Sequence, residues 1–160
     1  MTDGERSAAS RGIFADIAVS DAFRAARVVA LFASLPDEPQ TGGFIDEWCR
    51  RKRIVLPRVE GEVMRFYDYA PERMHEGAFG ISEPEGGTPC PPEEIDFIVV
   101  PAVAYTLAGD RLGRGKGFYD RYMSQPSFRA YKVGVCFDTQ IVDALPVEPC
   151  DVRVDRVVSR

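Results

Sequence analysis

The chain has 160 residues, 45% of them apolar and 28% charged, and its 20 basic and 25 acidic side chains leave a net charge of -5. That length suits one domain with a proper core, and no apolar run approaches the roughly 18 residues a bilayer span needs, so disordered, collagenous and membrane classes are excluded. A net negative chain lacks the broad positive field that nucleic-acid backbones require, so any anion site must rest on a local cluster of cations.

Cys49, Cys90, Cys136 and Cys150 form no Cys-x-x-Cys pair, and the one histidine, His75, sits in PERMHEGAFG with no serine or cysteine beside it. Packed, reduced thiols are therefore expected, and neither zinc nor Ser-His or Cys-His chemistry. MTDGERSAAS is not followed by an apolar segment of the secretory kind. The expectation is a cytoplasmic monomer with neither membrane nor nucleic acid as partner.

Thr2-Asp3-Gly4-Glu5 has the S/T-x-x-E form of a capping box, so a helix starts there, and Ile13, Phe14 and Ile17 share one face of it. A short helical turn at Ser20 to Phe23 leads into Val28 to Phe32, apolar without alternation, the pattern of a strand buried on both faces. After Pro36 and Pro39, Phe44 to Cys49 reads as a helix ending in the basic quartet Arg50 to Arg53, whose cations suit a helix C-terminus and a solvated face. Ile54-Val55-Leu56 and Val63 to Tyr67 read as strands, and the Gly- and Pro-rich stretch from Pro71 to Pro92 as a long irregular loop of the sort that serves binding. Ile95 to Val100 and Lys132 to Phe137 are buried strands, with a helix from about Gly117 to Ser124 between them and a last strand near Val154 to Val158. Strands alternating with helices imply parallel pairing: an α/β fold, a single three-layer domain with a mainly parallel sheet flanked by helices.

The chemistry concentrates in Pro101 to Met123, PAVAYTLAGDRLGRGKGFYDRYM, where Arg111, Arg114 and Lys116 stand among Gly109, Gly113, Gly115 and Gly117 directly after a buried strand and before a helix. Such a loop turns backbone N–H groups and cations toward one anion at the carboxyl end of a sheet. It fits neither the Walker A pattern, since Asp110 and Gly117 hold two of its key positions, nor the dinucleotide fingerprint, since Phe118 replaces the last glycine. Spacing alone leaves phosphate binding and a merely tight turn both open. Phe118, Tyr119, Tyr122 and Met123 share a side of the helix that suits core packing. Asp120, off that side, either favours the helix dipole or holds Mg²⁺, with Asp151 and Asp155 as downstream carboxylates.

The stretch Arg111-Leu112-Gly113-Arg114-Gly115-Lys116-Gly117-Phe118-Tyr119-Asp120 resembles the signature of the 5-formyltetrahydrofolate cyclo-ligase family, also called 5,10-methenyltetrahydrofolate synthetase. The likeness extends to Phe32-Ala33-Ser34 with Asp37, Glu38 and Thr41, to Leu56-Pro57-Arg58, to Phe79-Gly80-Ile81-Ser82-Glu83-Pro84, and to Leu145 through Asp155. The resemblance implies an enzyme that converts 5-formyltetrahydrofolate and ATP to 5,10-methenyltetrahydrofolate, ADP and phosphate with Mg²⁺. It implies ATP contacts from Arg111 to Tyr119, with Arg114, Gly115, Lys116, Gly117 and Phe118 also bordering the folate, and Ala33 and Glu38 at its pterin end. Arg114, Lys116 and Tyr119 become the catalytic set, and Asp120 and Asp151 the metal carboxylates. Family members usually begin with a basic helix whose Lys and Arg reach the ATP phosphates, whereas here residues 1–160 are expected to form one domain lacking that helix. A non-catalytic folate- or nucleotide-binding domain of the same fold, or another ATP-dependent enzyme of small anionic substrates, are the competing expectations.

Overall fold

Each central strand is apolar on both faces because each face has its own helix or loop layer to cover. In the computed structural model, which describes residues 1–77 and 80–160, Val29, Leu31, Ile54, Leu56, Phe97, Val99, Val133 and Val135 pack on one side of the sheet. Their alternating neighbours Ala30, Val55, Ile98, Val100 and Cys136 pack on the other, the period of two that a pleated strand imposes. The strands are β1 (Val28–Ala30), β2 (Arg53–Glu60), β3 (Val63–Asp68), β6 (Phe97–Val100), β9 (Tyr131–Cys136) and β10 (Arg156–Ser159), ordered β10-β9-β6-β1-β2-β3. All neighbours run parallel except the edge hairpin β2–β3. The expected α/β class with a mainly parallel sheet holds.

Helices α1 (Asp3–Ala18), α2 (Asp21–Ala25) and α3 (Gly42–Trp48) cover the first face through Ile13, Phe14, Ile17, Phe23, Phe44 and Ile45. The short α4 (Phe118–Met123) covers the second through Tyr122 and Met123. The capping box forms as read: the Thr2 hydroxyl accepts from Glu5 N–H at 3.1 Å and Thr2 N–H donates to the Glu5 carboxylate at 2.8 Å. Burying a chain of this length around two such apolar layers, at about 25 cal/mol per Å² of apolar surface, is what offsets the conformational entropy of folding.

Three expectations need correction. The basic quartet is a solvated helix end only at the exposed Arg50 and Arg51, because Arg53 already lies in β2, bridged to Asp68 at 2.6 Å and Glu94 at 3.1 Å, and Lys52 donates to Ala26 O at 2.5 Å. The stretch from Pro71 to Pro92 is not irregular throughout: β4 (Met74–Glu76) and β5 (Ser82–Pro84) pair as an antiparallel ribbon, with His75 opposite Glu83. Phe79, part of the likeness, lies outside the described residues. The glycine-rich loop does not follow its strand directly, since the small hairpin β7 (Ala104–Tyr105) and β8 (Arg111–Leu112) intervenes after β6 and carries Arg111. Two-residue strands leave no pattern for periodicity to detect.

Candidate active site

The central parallel strands β1 and β6 are neighbours whose chains leave their carboxyl ends in opposite directions. The loop after β1 leads through α3 to β2 on one flank, and the loop after β6 leads through α4 to β9 on the other. Diverging loops open a crevice, the usual ligand position in an open α/β sheet. A cleft of about 700 Å³ lies there, walled by Phe32, Ala33, Leu35 and Glu38 after β1 and by Pro101, Ala102 and residues 111–121 after β6.

The glycine-rich wall takes its shape from backbone conformations closed to other residues. Gly115 and Gly117 have φ of +91° and +71°, in the left-handed region, and Gly117 caps α4 in that conformation. Arg121, one turn on, fastens this wall by donating to Lys116 O and Glu62 O, both at 2.9 Å. The loop is thereby tied to the β2–β3 hairpin. Lys116 is exposed at the mouth of the cleft.

Arg111 is turned inward. Its side chain is 7% exposed, its Nε donates to Pro101 O at 2.9 Å, its guanidinium lies 5.2 Å from the Tyr119 ring centre, and its Nη1 stands 3.8 Å from Asp120 Oδ1. The same Asp120 oxygen accepts from Val152 N–H at 3.1 Å, which draws the C-terminal segment bearing Asp151 against α4. Asp151 in turn accepts from Glu148 N–H at 2.8 Å. Pro146, Glu148, Cys150 and Asp151 thus become the third wall of the cleft.

Opposite, Glu38 is 4% exposed. One carboxylate oxygen accepts from Leu35 N–H at 2.8 Å and the other faces Arg114 Nη2 at 3.3 Å, while Arg114 also reaches Asp37 at 2.8 Å. Burial raises Glu38 above the ordinary carboxylate range, and the Leu35 amide and the Arg114 guanidinium oppose that rise. Burial also pushes the Tyr119 hydroxyl up, with the Glu38 charge adding to it against the pull of Arg111. Tyr119 therefore stays protonated near neutral pH, which makes its hydroxyl available as a hydrogen-bond donor rather than as a base.

Ala33, Glu38, Arg111 to Tyr119, Asp120 and Asp151, singled out from the sequence, border this one cleft, whereas Asp155, the other downstream carboxylate, lies apart from it and accepts from Lys132 N–H at 2.7 Å. Sequence reasoning gave no role to Arg121, nor to Glu83, which it named only within the likeness. Glu83 is 5% exposed, accepts from Val59 N–H at 2.8 Å and lines the cleft from the β4–β5 ribbon. Both act through backbone groups far away in sequence, for which there is no local signal.

A sequence profile described as the 5-formyltetrahydrofolate cyclo-ligase family matches residues 1–160. The chain belongs to that family. It is 34% identical to the 5-formyltetrahydrofolate cyclo-ligase of Haemophilus influenzae over 137 residues, 81% of this chain and 73% of that one. With the Mycolicibacterium smegmatis enzyme of the same name it shares 31% over 144 residues, 83% of this chain and 73% of that one. The solved structure of Aquifex aeolicus 5,10-methenyltetrahydrofolate synthetase superposes with a TM-score of 0.89 at 35% identity, covering 99% of this chain and 81% of that one. The chain is accordingly an enzyme of the cyclo-ligase family, and the competing expectation of a non-catalytic binding domain gives way.

Proposed function

We propose that the cleft converts 5-formyltetrahydrofolate to 5,10-methenyltetrahydrofolate by consuming ATP, with the phosphates on the glycine-rich wall and the pterin against Glu38. The observation that carries this reading is Arg114, which reaches from the glycine-rich loop to Glu38 at 3.3 Å and so measures how closely the two substrate regions face each other. In the proposed reaction the formyl oxygen attacks the γ-phosphorus and the bond to the ADP oxygen breaks. N10 then attacks the activated formyl carbon, and phosphate departs carrying the former formyl oxygen as the N10 proton is released.

Such a transfer needs positioning and charge stabilisation rather than a covalent nucleophile. Lys116 and Arg114 supply cations that line the cleft, and the Gly115 to Gly117 backbone allows close approach of phosphate oxygens. Tyr119 donates from a fixed position and Glu38 accepts from pterin N–H groups. Closing the pterin over Glu38 strengthens each of these interactions by excluding water.

Asp120 and Asp151 fit a magnesium ion held partly by substrate. Asp120 Oδ1 is taken by Val152 and Arg111, Asp120 and Asp151 both line the cleft, and among the described residues no group of three or more potential ligands occurs. One or two carboxylates completed by phosphate and water oxygens is the manner in which Mg²⁺ binds. When bound there, it neutralises charge on the phosphates. The test of the function is turnover: 5-formyltetrahydrofolate with ATP and Mg²⁺ should give methenyl absorbance, none without ATP. Binding of both substrates with no product would refute the reading.

A further inference from the structure

Arg6, in the first turns of α1, reaches away from its helix toward the turn that carries Glu38. Its Nε donates to Glu38 O at 3.0 Å, and its Nη2 donates to Leu35 O at 2.7 Å and Glu38 O at 2.8 Å. One helical turn later, buried Ser10 accepts from Gln40 N–H at 2.8 Å and donates to Arg6 O at 2.7 Å. Neither side chain borders the cleft.

The turn itself is closed by Glu38 N–H on Leu35 O at 3.0 Å and by the Glu38 carboxylate on Leu35 N–H. One guanidinium reaches both carbonyls of this closed turn, Nη2 serving Leu35 O and Glu38 O and Nε serving Glu38 O as well, a planar multi-donor geometry that a lysine ammonium does not offer. Helix α1 is fixed to the sheet by Ile13, Phe14 and Ile17, all in the core. Arg6 thereby transmits the position of that rigid layer to a turn that contains Pro36 and the exposed Asp37. Without it, the Glu38 carboxylate is held from the cleft side by Arg114, a half-exposed residue on the opposite wall.

We infer that Arg6 is a positioning residue for Glu38: through the Leu35 and Glu38 carbonyls it fixes the turn that aims the buried carboxylate at the pterin, without touching either substrate. This rests on the function proposed above. It explains why a buried carboxylate in a Pro-flanked turn keeps one orientation while its cleft-side partner Arg114 is also within reach of phosphate.

The test compares Arg6→Met, Arg6→Lys and Arg11→Met in the full chain. Arg11 lies on the same helix, is exposed, and bonds to Ser7 Oγ at 2.8 Å, so its variant removes an equal charge without touching the turn. Arg6→Met should raise KM for 5-formyltetrahydrofolate about tenfold with KM for ATP within twofold, as expected of lost binding to one substrate. Arg6→Lys should lie between, and Arg11→Met should match the parent. In a Glu38→Gln background, Arg6→Met should add less than threefold, because the residue it positions is already disabled. Equal losses for both substrates, or the same factor with and without Glu38, would overturn the inference. Should Arg6→Met not fold, Arg6→Lys carries the same comparison. Calorimetry of 5-formyltetrahydrofolate alone separates the two readings: absence of turnover in the parent refutes the function, whereas unchanged folate affinity in the Arg6 variants refutes the positioning role.

Discussion

Replacing Arg111 by methionine separates a wall residue from a phosphate ligand. The side chain keeps its apolar stem but loses the bond to Pro101 O, the ion pair at 3.8 Å with Asp120 and the stack on Tyr119. A hydrogen bond from a charged group contributes about 1.5–3 kcal/mol, and the long, partly screened pair adds at most about 1 kcal/mol, giving a loss of roughly 2–4 kcal/mol. At about 2–4 °C per kcal/mol for a domain of this size, the melting temperature should fall by roughly 5–15 °C. Catalysis should fall as well, because Asp120 and the Val152 segment it holds lose the partner that orients them. The assay is a thermal melt beside kcat/KM for ATP at several Mg²⁺ concentrations. An unchanged melt with a raised KM for ATP would refute the reasoning and make Arg111 a direct phosphate ligand.

Lys116→Ala and Arg114→Ala should each lower ATP-dependent turnover tenfold or more with an intact fold, since a charged bond to phosphate is worth about 1.5–3 kcal/mol; turnover within twofold of the parent for both would contradict this. Asp120→Asn should sharply raise the Mg²⁺ concentration needed for half-maximal rate, read by titration, because it removes charge while keeping shape. Glu38→Gln should lower kcat/KM for 5-formyltetrahydrofolate about 10- to 100-fold while leaving ATP affinity near that of the parent. Its stability should show the opposite trend. A carboxyl whose folded pKa is raised stabilises the fold below its ordinary value of 4.5 and loses that contribution as pH rises through the folded value. The glutamine variant should therefore gain on the parent as pH rises above 4.5 in denaturant melts, and parallel pH profiles would refute that.

The strands were readable because burial on both faces writes an apolar run into the chain, as at Ile95 to Val100. The Thr2 cap was readable because its bonds join residues three apart. The cleft residues were recognisable by a long local motif, all of whose members face one space. What the sequence withheld is contact across distance. Arg111 looks like its neighbours Arg114 and Lys116, yet its place in a two-residue strand turns it into the wall. Arg6 and Arg121 act on carbonyls 29 to 59 positions away, and a carbonyl is present at every residue, so no pattern marks the ones that matter. Lys52 and Arg53 likewise read as helix-end charges, yet Lys52 donates to Ala26 O and Arg53 pairs with Asp68 of β3.

The most direct test follows the formyl oxygen. The proposed transfer requires that this atom attack phosphorus and leave as part of the released phosphate. With 5-formyltetrahydrofolate labelled with heavy oxygen in the formyl group, mass analysis of the phosphate formed with ATP and Mg²⁺ should find one labelled oxygen for each methenyl product. Unlabelled phosphate, with the label released to water, would show that ATP hydrolysis and ring closure are separate events and would contradict the account.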